Sequence, residues 1–119
     1  MSDALDAYRN TARRRKAASR DEQERRRTAG RAAARRVAAD LRRTYDVERV
    51  VLFGSIAGDA ALGPRSDLDL AVRGLDAAEY YEAVARVQDV GAPFEVDLVR
   101  MESCQRSLRE RIQQEGRLI

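Results

Sequence analysis

Two stretches, Val50-Val51-Leu52-Phe53-Gly54-Ser55 and Asp67-Leu68-Asp69-Leu70-Ala71-Val72, decide how this chain folds. The first is a continuous apolar run closed by Gly and Ser, the pattern of a short strand buried on both faces that ends in a tight turn. The second alternates acid and aliphatic with a strand's period of two. Asp67 and Asp69 therefore emerge together on one face while Leu68 and Leu70 enter the core. Between the two strands, residues 56–66 are small and rich in turn formers, with Gly58, Gly63 and Pro64.

Downstream, Asp76 to Val90 has helical spacing at Tyr80, Val84 and Val87 and stops at Gly91 and Pro93. Phe94-Glu95-Val96-Asp97-Leu98-Val99 then alternates as a third strand, and Leu108 to Gln114 reads as a short closing helix with Gly116 as its stop. Upstream, Ser19 to Tyr45 is rich in Arg, Ala, Glu and Gln without Pro, and Ser19 with Glu22 has the spacing of a capping box. This predicts a long helix whose stripe Ala33, Val37, Leu41 and Tyr45 docks on the body. Leu5, Tyr8 and Ala12 offer a further short stripe, expected to be helical only against a partner. The order helix, strand, strand, helix, strand, helix makes the chain α/β or α+β, a small mixed sheet flanked by helices. A basic helical arm occupies residues 1–34 and the sheet domain residues 35–119.

Composition narrows the chemistry. A chain of 119 residues suits one compact domain, and with 5% aromatics and no Trp its core rests on Val, Leu, Ile and Ala. No apolar run approaches the roughly 18 residues of a membrane span, and Met1 to Asn10 lacks the order of a secretory signal, which implies a cytoplasmic location. One cysteine and no histidine exclude an internal disulfide and the usual zinc sets, so any metal must sit on carboxylates, and Cys104 is given no role. The net charge of +3 hides a division. Residues 1–45 carry 14 Arg or Lys against 6 Asp or Glu, a balance of +8, and residues 46–119 carry 9 against 14, a balance of −5.

Two carboxylates side by side on a strand repel one another, a cost that a divalent cation removes, and hard oxygen donors match Mg²⁺. If the third strand neighbours the second, Asp97 completes a three-acid cluster that can hold two ions and clamp an in-line phosphoryl transfer. Gly54-Ser55 supplies a turn where backbone N–H groups and a hydroxyl can meet phosphate oxygens, especially if residues 56–61 begin a helix. Each feature alone has a plainer reading, a solvated strand face or an ordinary turn, and it is the ordered set that points to phosphate chemistry.

Leu52-Phe53-Gly54-Ser55, Ser66-Asp67-Leu68-Asp69-Leu70 and Glu95-Val96-Asp97-Leu98-Val99 resemble the minimal nucleotidyltransferases of the polymerase-β superfamily. Tyr45-Asp46-Val47-Glu48-Arg49-Val50 and the ending from Leu108 to Gly116 are similar to the members that pair with HEPN-domain RNases as toxin–antitoxin systems. The resemblance implies that Asp67 and Asp69 bind the Mg²⁺ that carries ATP and that Asp97 is the third carboxylate; Glu95, which shares a strand face with Asp97, is second choice for that role. It further implies that Gly54, Ser55 and Ser66 contact the nucleotide, and that AMP passes to a tyrosine of a HEPN toxin. The family's Gly-Ser-x-Ala-Arg-Gly is broken here, since Gly54-Ser55-Ile56-Ala57 runs into Gly58-Asp59, and Arg65 is the substitute for the missing basic residue.

The arginines of the arm, at 13–15, 25–27, 31, 35, 36, 42 and 43 together with Lys16, suit contact with nucleic acid or an acidic partner, or equally a solvated helix face, since no aromatics are interleaved for stacking bases; of the two partners an acidic protein fits the antitoxin reading better than RNA. Two other functions fit the sequence: an antitoxin of the same fold that acts by binding alone, and a small-molecule nucleotidyltransferase.

Overall fold

The structure is a computed structural model that describes residues 3–63 and 67–119. Helix α1 runs unbroken from Asp3 to Tyr45. It passes straight through Ser19, so the capping box expected there does not form, and the segment expected to need a partner is already helical. The reason is propagation: Ala, Arg, Leu and Glu are good helix formers with no Pro among them, and a docked C-terminal half supplies the nucleus that isolated helices lack. Asp3 and Asp6 in the first turn and Arg42 and Arg43 in the last oppose the ends of the helix dipole. The helix stops at Asp46, which takes the left-handed conformation (φ 54°) and donates its N–H to the Arg42 carbonyl at 3.1 Å.

Strands β1 (Arg49–Phe53), β2 (Leu68–Arg73), β3 (Val96–Arg100) and β4 (Arg117–Leu118) form one mixed sheet in the order β3-β2-β1-β4. β1 lies antiparallel to β2 and β4, and β2 lies parallel to β3 through the crossover helix α2 (Tyr80–Gly91), entered by a short 3-10 turn at Ala77–Glu79. Helix α3 (Arg106–Glu115) closes the chain before β4. The two-residue β4 was not anticipated, being too short to show a period. The third strand begins two residues later than its alternation suggested.

The sheet has a core on each face. Leu68, Leu70 and Val72 of β2 pack with Ala33, Ala34, Val37, Ala38 and Leu41 of α1 and with Ala83 and Val87 of α2. On the opposite face Val51, Phe53 and Ala71 meet Ile112 of α3 and Met101, with half-buried Cys104 beside them. Val50 to Phe53 are buried on both faces as their apolar run indicated. Gly116 does end α3, with an extended backbone (φ −72°) in place of a left-handed one; it lacks a side chain because a Cβ would collide with the Ile112 carbonyl and Val51. Buried Asp40 of α1 accepts two bonds from Arg86 of α2, at 2.6 and 2.9 Å, and one from Arg43 at 3.3 Å, pinning the two helices together. Among the described residues no helix is long and apolar enough to cross a membrane.

Candidate active site

Asp69 stands at the head of β2, and the register places it opposite Phe53 of β1 on one side and Asp97 of β3 on the other. In a parallel ladder partners in register share a face, so Asp69 and Asp97 project together toward the side covered by α3. Asp67 lies one residue before the strand. The Leu68 N–H donates to the Glu95 carbonyl at 2.9 Å, which brings Asp67 and exposed Glu95 to the same rim. The register places Asp97 level with Asp69, and Glu95 lies one step outside the ladder.

Asp69 is half-buried, and its carboxyl is held above the usual range, first by burial, then by the charges of Asp97 and Asp67, with Arg111 of α3 opposing them. Among the described residues none of the three aspartates takes part in an ion pair or accepts a hydrogen bond. No three Asp, Glu, Cys or His of the described residues close on a single point as a ready-made cage. Mg²⁺ is commonly held by one or two carboxylates together with substrate phosphates and water.

Gly54 follows β1 with φ +76°, a conformation that L side chains rarely adopt, and a Cβ there would collide with Asp69 Oδ2. The Gly54-Ser55 turn is therefore pressed against the carboxylate, and Ser55 is exposed beside it. Residues 55–57 form a turn and 58–60 a bend; no helix starts there, so the helix terminus expected to face a phosphate is missing. The small residues and Gly58 favour tight reversals over helix propagation. Arg65 and Ser66, expected at the nucleotide, lie outside the described residues.

What holds this loop comes from α1. Gln23 accepts from the Leu62 N–H at 3.2 Å, Arg27 donates to the Ala60 carbonyl, and Arg31 donates to the carbonyls of Ile56, Ala57 and Gly58 at 3.1, 3.1 and 3.3 Å. Gln23, Arg27 and Arg31 are spaced four apart along one flank of the helix, beside the apolar stripe. That spacing is the only local sign of their role, which differs from the solvated or partner-facing one expected of Arg27 and Arg31. The helix contacts the body as far back as Gln23, within the stretch read as arm. Its other flank, with Ala29, Ala32 and Arg36, faces Pro93, Phe94 and Glu95 across an open groove that reaches Asp67.

A family model described as polymerase beta, nucleotidyltransferase, matches residues 37–119. The chain belongs to this family. As a polymerase-β-type nucleotidyltransferase it shares its fold with several solved structures. One is described as a minimal nucleotidyltransferase, 28% identical with a TM-score of 0.58, over 75% of this chain and 91% of that one. A toxin–antitoxin complex with AMP-PNP matches at 24% identity and a TM-score of 0.57, over 69% of this chain and 68% of that one. An MNT antitoxin bound to the tri-AMPylated HEPN toxin of Shewanella oneidensis matches at 22% identity and a TM-score of 0.58, over 75% and 70%. Comparison with curated proteins returns no match. The matched region begins at Val37, and the loop-clamping flank of α1 precedes it.

Proposed function

We propose that this nucleotidyltransferase moves AMP from ATP to a hydroxyl, that of a tyrosine, on a partner HEPN toxin and so acts as its antitoxin. The observation that carries the reading is Asp69, half-buried, level with Asp97 and under the charge of Asp67, with the Gly54-Ser55 turn pressed against it. The complexes of HEPN toxins with MNT antitoxins among the structural neighbours support the partner and the nucleotide.

Asp67, Asp69 and Asp97 would hold Mg²⁺, which when bound neutralises phosphate charge and makes the acceptor hydroxyl more acidic. The residues of the chain do the rest. Gly54 and Ser55 offer backbone N–H groups and a hydroxyl to the triphosphate, in a loop kept in place by Arg31. Asp97, exposed at the head of β3, receives the proton as the hydroxyl oxygen bonds to the α-phosphorus; the bridge to the β-phosphate breaks and pyrophosphate leaves. Positioning and charge supply the catalysis, since the protein forms no covalent bond.

The absence of a helix terminus at the phosphate turn favours one second reading, an antitoxin that binds its toxin without turnover. One assay separates the two. The chain is incubated with the product of the adjacent gene, ATP and Mg²⁺, and the partner is weighed. A gain of one or more AMP units that vanishes in Asp67→Ala/Asp69→Ala is the expected result, and a tight complex without any gain in mass establishes the second reading instead.

A further inference from the structure

We propose that the groove between α1 and residues 92–95 is the docking site for the segment of the acceptor protein that presents the hydroxyl, an inference that rests on the AMP-transfer reading. An in-line transfer requires the attacking and leaving oxygens to lie on opposite sides of the phosphorus. Across the head of the sheet, Gly54-Ser55 at the end of β1 comes first, then Asp69 on β2, then Asp97 on β3. If the leaving pyrophosphate sits at the β1 side, the acceptor approaches over β3. Residues 92–95 lead directly into β3 at that end, and the groove, which lies on the α1 face of the sheet, meets the acidic rim at Asp67 and Glu95.

The chemistry of the groove fits a peptide bearing an aromatic hydroxyl. Ala29, Ala32, Pro93 and Phe94 give an open apolar strip on which a ring can lie. Exposed Arg36, held toward the Ala92 carbonyl at 3.5 Å, stands at its rim as a partner for a carboxylate next to that ring. Every helix residue named here precedes the matched family domain at 37–119. One flank of α1 thus clamps the phosphate loop while the other forms a wall of the acceptor groove, so α1 sets donor and acceptor in a single frame.

The test uses Ala32→Glu and Arg36→Glu, both at exposed positions where the fold tolerates change. With the product of the adjacent gene as acceptor, each variant raises the KM for that protein about tenfold or more while the KM for ATP moves less than twofold. A rise in the KM for ATP alone would put the adenine in the groove and overturn the proposal, as would no change in either constant. Affinity for the same partner, measured by calorimetry without turnover, separates the two readings. If the wild-type chain moves no AMP, the transfer reading fails. The groove is then judged on binding: a roughly tenfold loss in the variants upholds it as the docking site, and unchanged affinity rejects it.

Discussion

Asp69→Asn will raise the melting temperature of the metal-free protein and at the same time lower nucleotidyl transfer by on the order of 10³-fold. Both effects have one cause. The Asp69 carboxylate is kept partly out of water and next to Asp97 and Asp67, so its charge disfavours the folded state. Because its folded pKa lies above the unfolded one, the cost is absent at acid pH and sets in as pH rises through the folded value. Neutralising the side chain removes that cost, and a gain of roughly 2–5 °C near pH 7 is the scale of such relief in a chain of this size. The gain should shrink toward zero below about pH 4, where the wild-type carboxyl is itself protonated. Mg²⁺ should do for the wild type what the substitution does, and should stabilise Asp69→Asn much less. Thermal melts with and without Mg²⁺, across pH, check every part of this. A variant less stable than wild type would show that Asp69 serves the fold in place of a ligand.

The second large effect concerns stability alone. Asp40→Ala should cost about 2–3 kcal/mol, a fall in Tm of roughly 10 °C. The carboxylate is 3% exposed and receives the Nε and Nη2 of Arg86, which is what holds its pKa below the usual range. The figure sits below the range for a fully buried pair because Arg86 remains 44% exposed and regains water when its partner is lost. The pH dependence runs opposite to that of Asp69. A lowered folded pKa contributes stability above the unfolded value of about 3.9 that fades as pH falls through the folded one, so the gap between wild type and Asp40→Asn should close in acid. Denaturant melts at a series of pH values from 7 downward decide the matter; a gap that does not narrow as the pH falls below the unfolded value would mean that packing, not charge, accounts for it.

These two aspartates also show what was legible in the sequence. Asp69 could be read because a strand's period of two fixes its face and because Leu68 and Leu70 declare which side is core. Asp97 followed once the third strand was known to neighbour the second, a point that only the register decides. Asp40 gave no such signal, since an acid in an arginine-rich helix looks solvated until α2, 46 residues on, brings Arg86 against it. The same holds for Arg31, whose three carbonyl acceptors lie 25–27 residues away. Local rules also failed at Ser19, where a good cap signal sits inside a helix that has no reason to start there, and at residues 56–61, where turn formers prevailed over a helix. Short-range pattern thus placed the strands and their acids. The long-range bonds from α1 that shape the loop were out of its reach.

The convergence of Asp67, Asp69 and Asp97 on shared metal is open to one direct measurement: anomalous diffraction from crystals grown with Mn²⁺, a close substitute for Mg²⁺ on carboxylates, and a non-hydrolysable ATP analogue. The expected map has an ion held between Asp67 and Asp69, Asp97 on that ion or on a second one beside it, and the triphosphate against Gly54-Ser55. Metal bound elsewhere on the chain, or a nucleotide seated with Asp97 left apart from any ion, would contradict it.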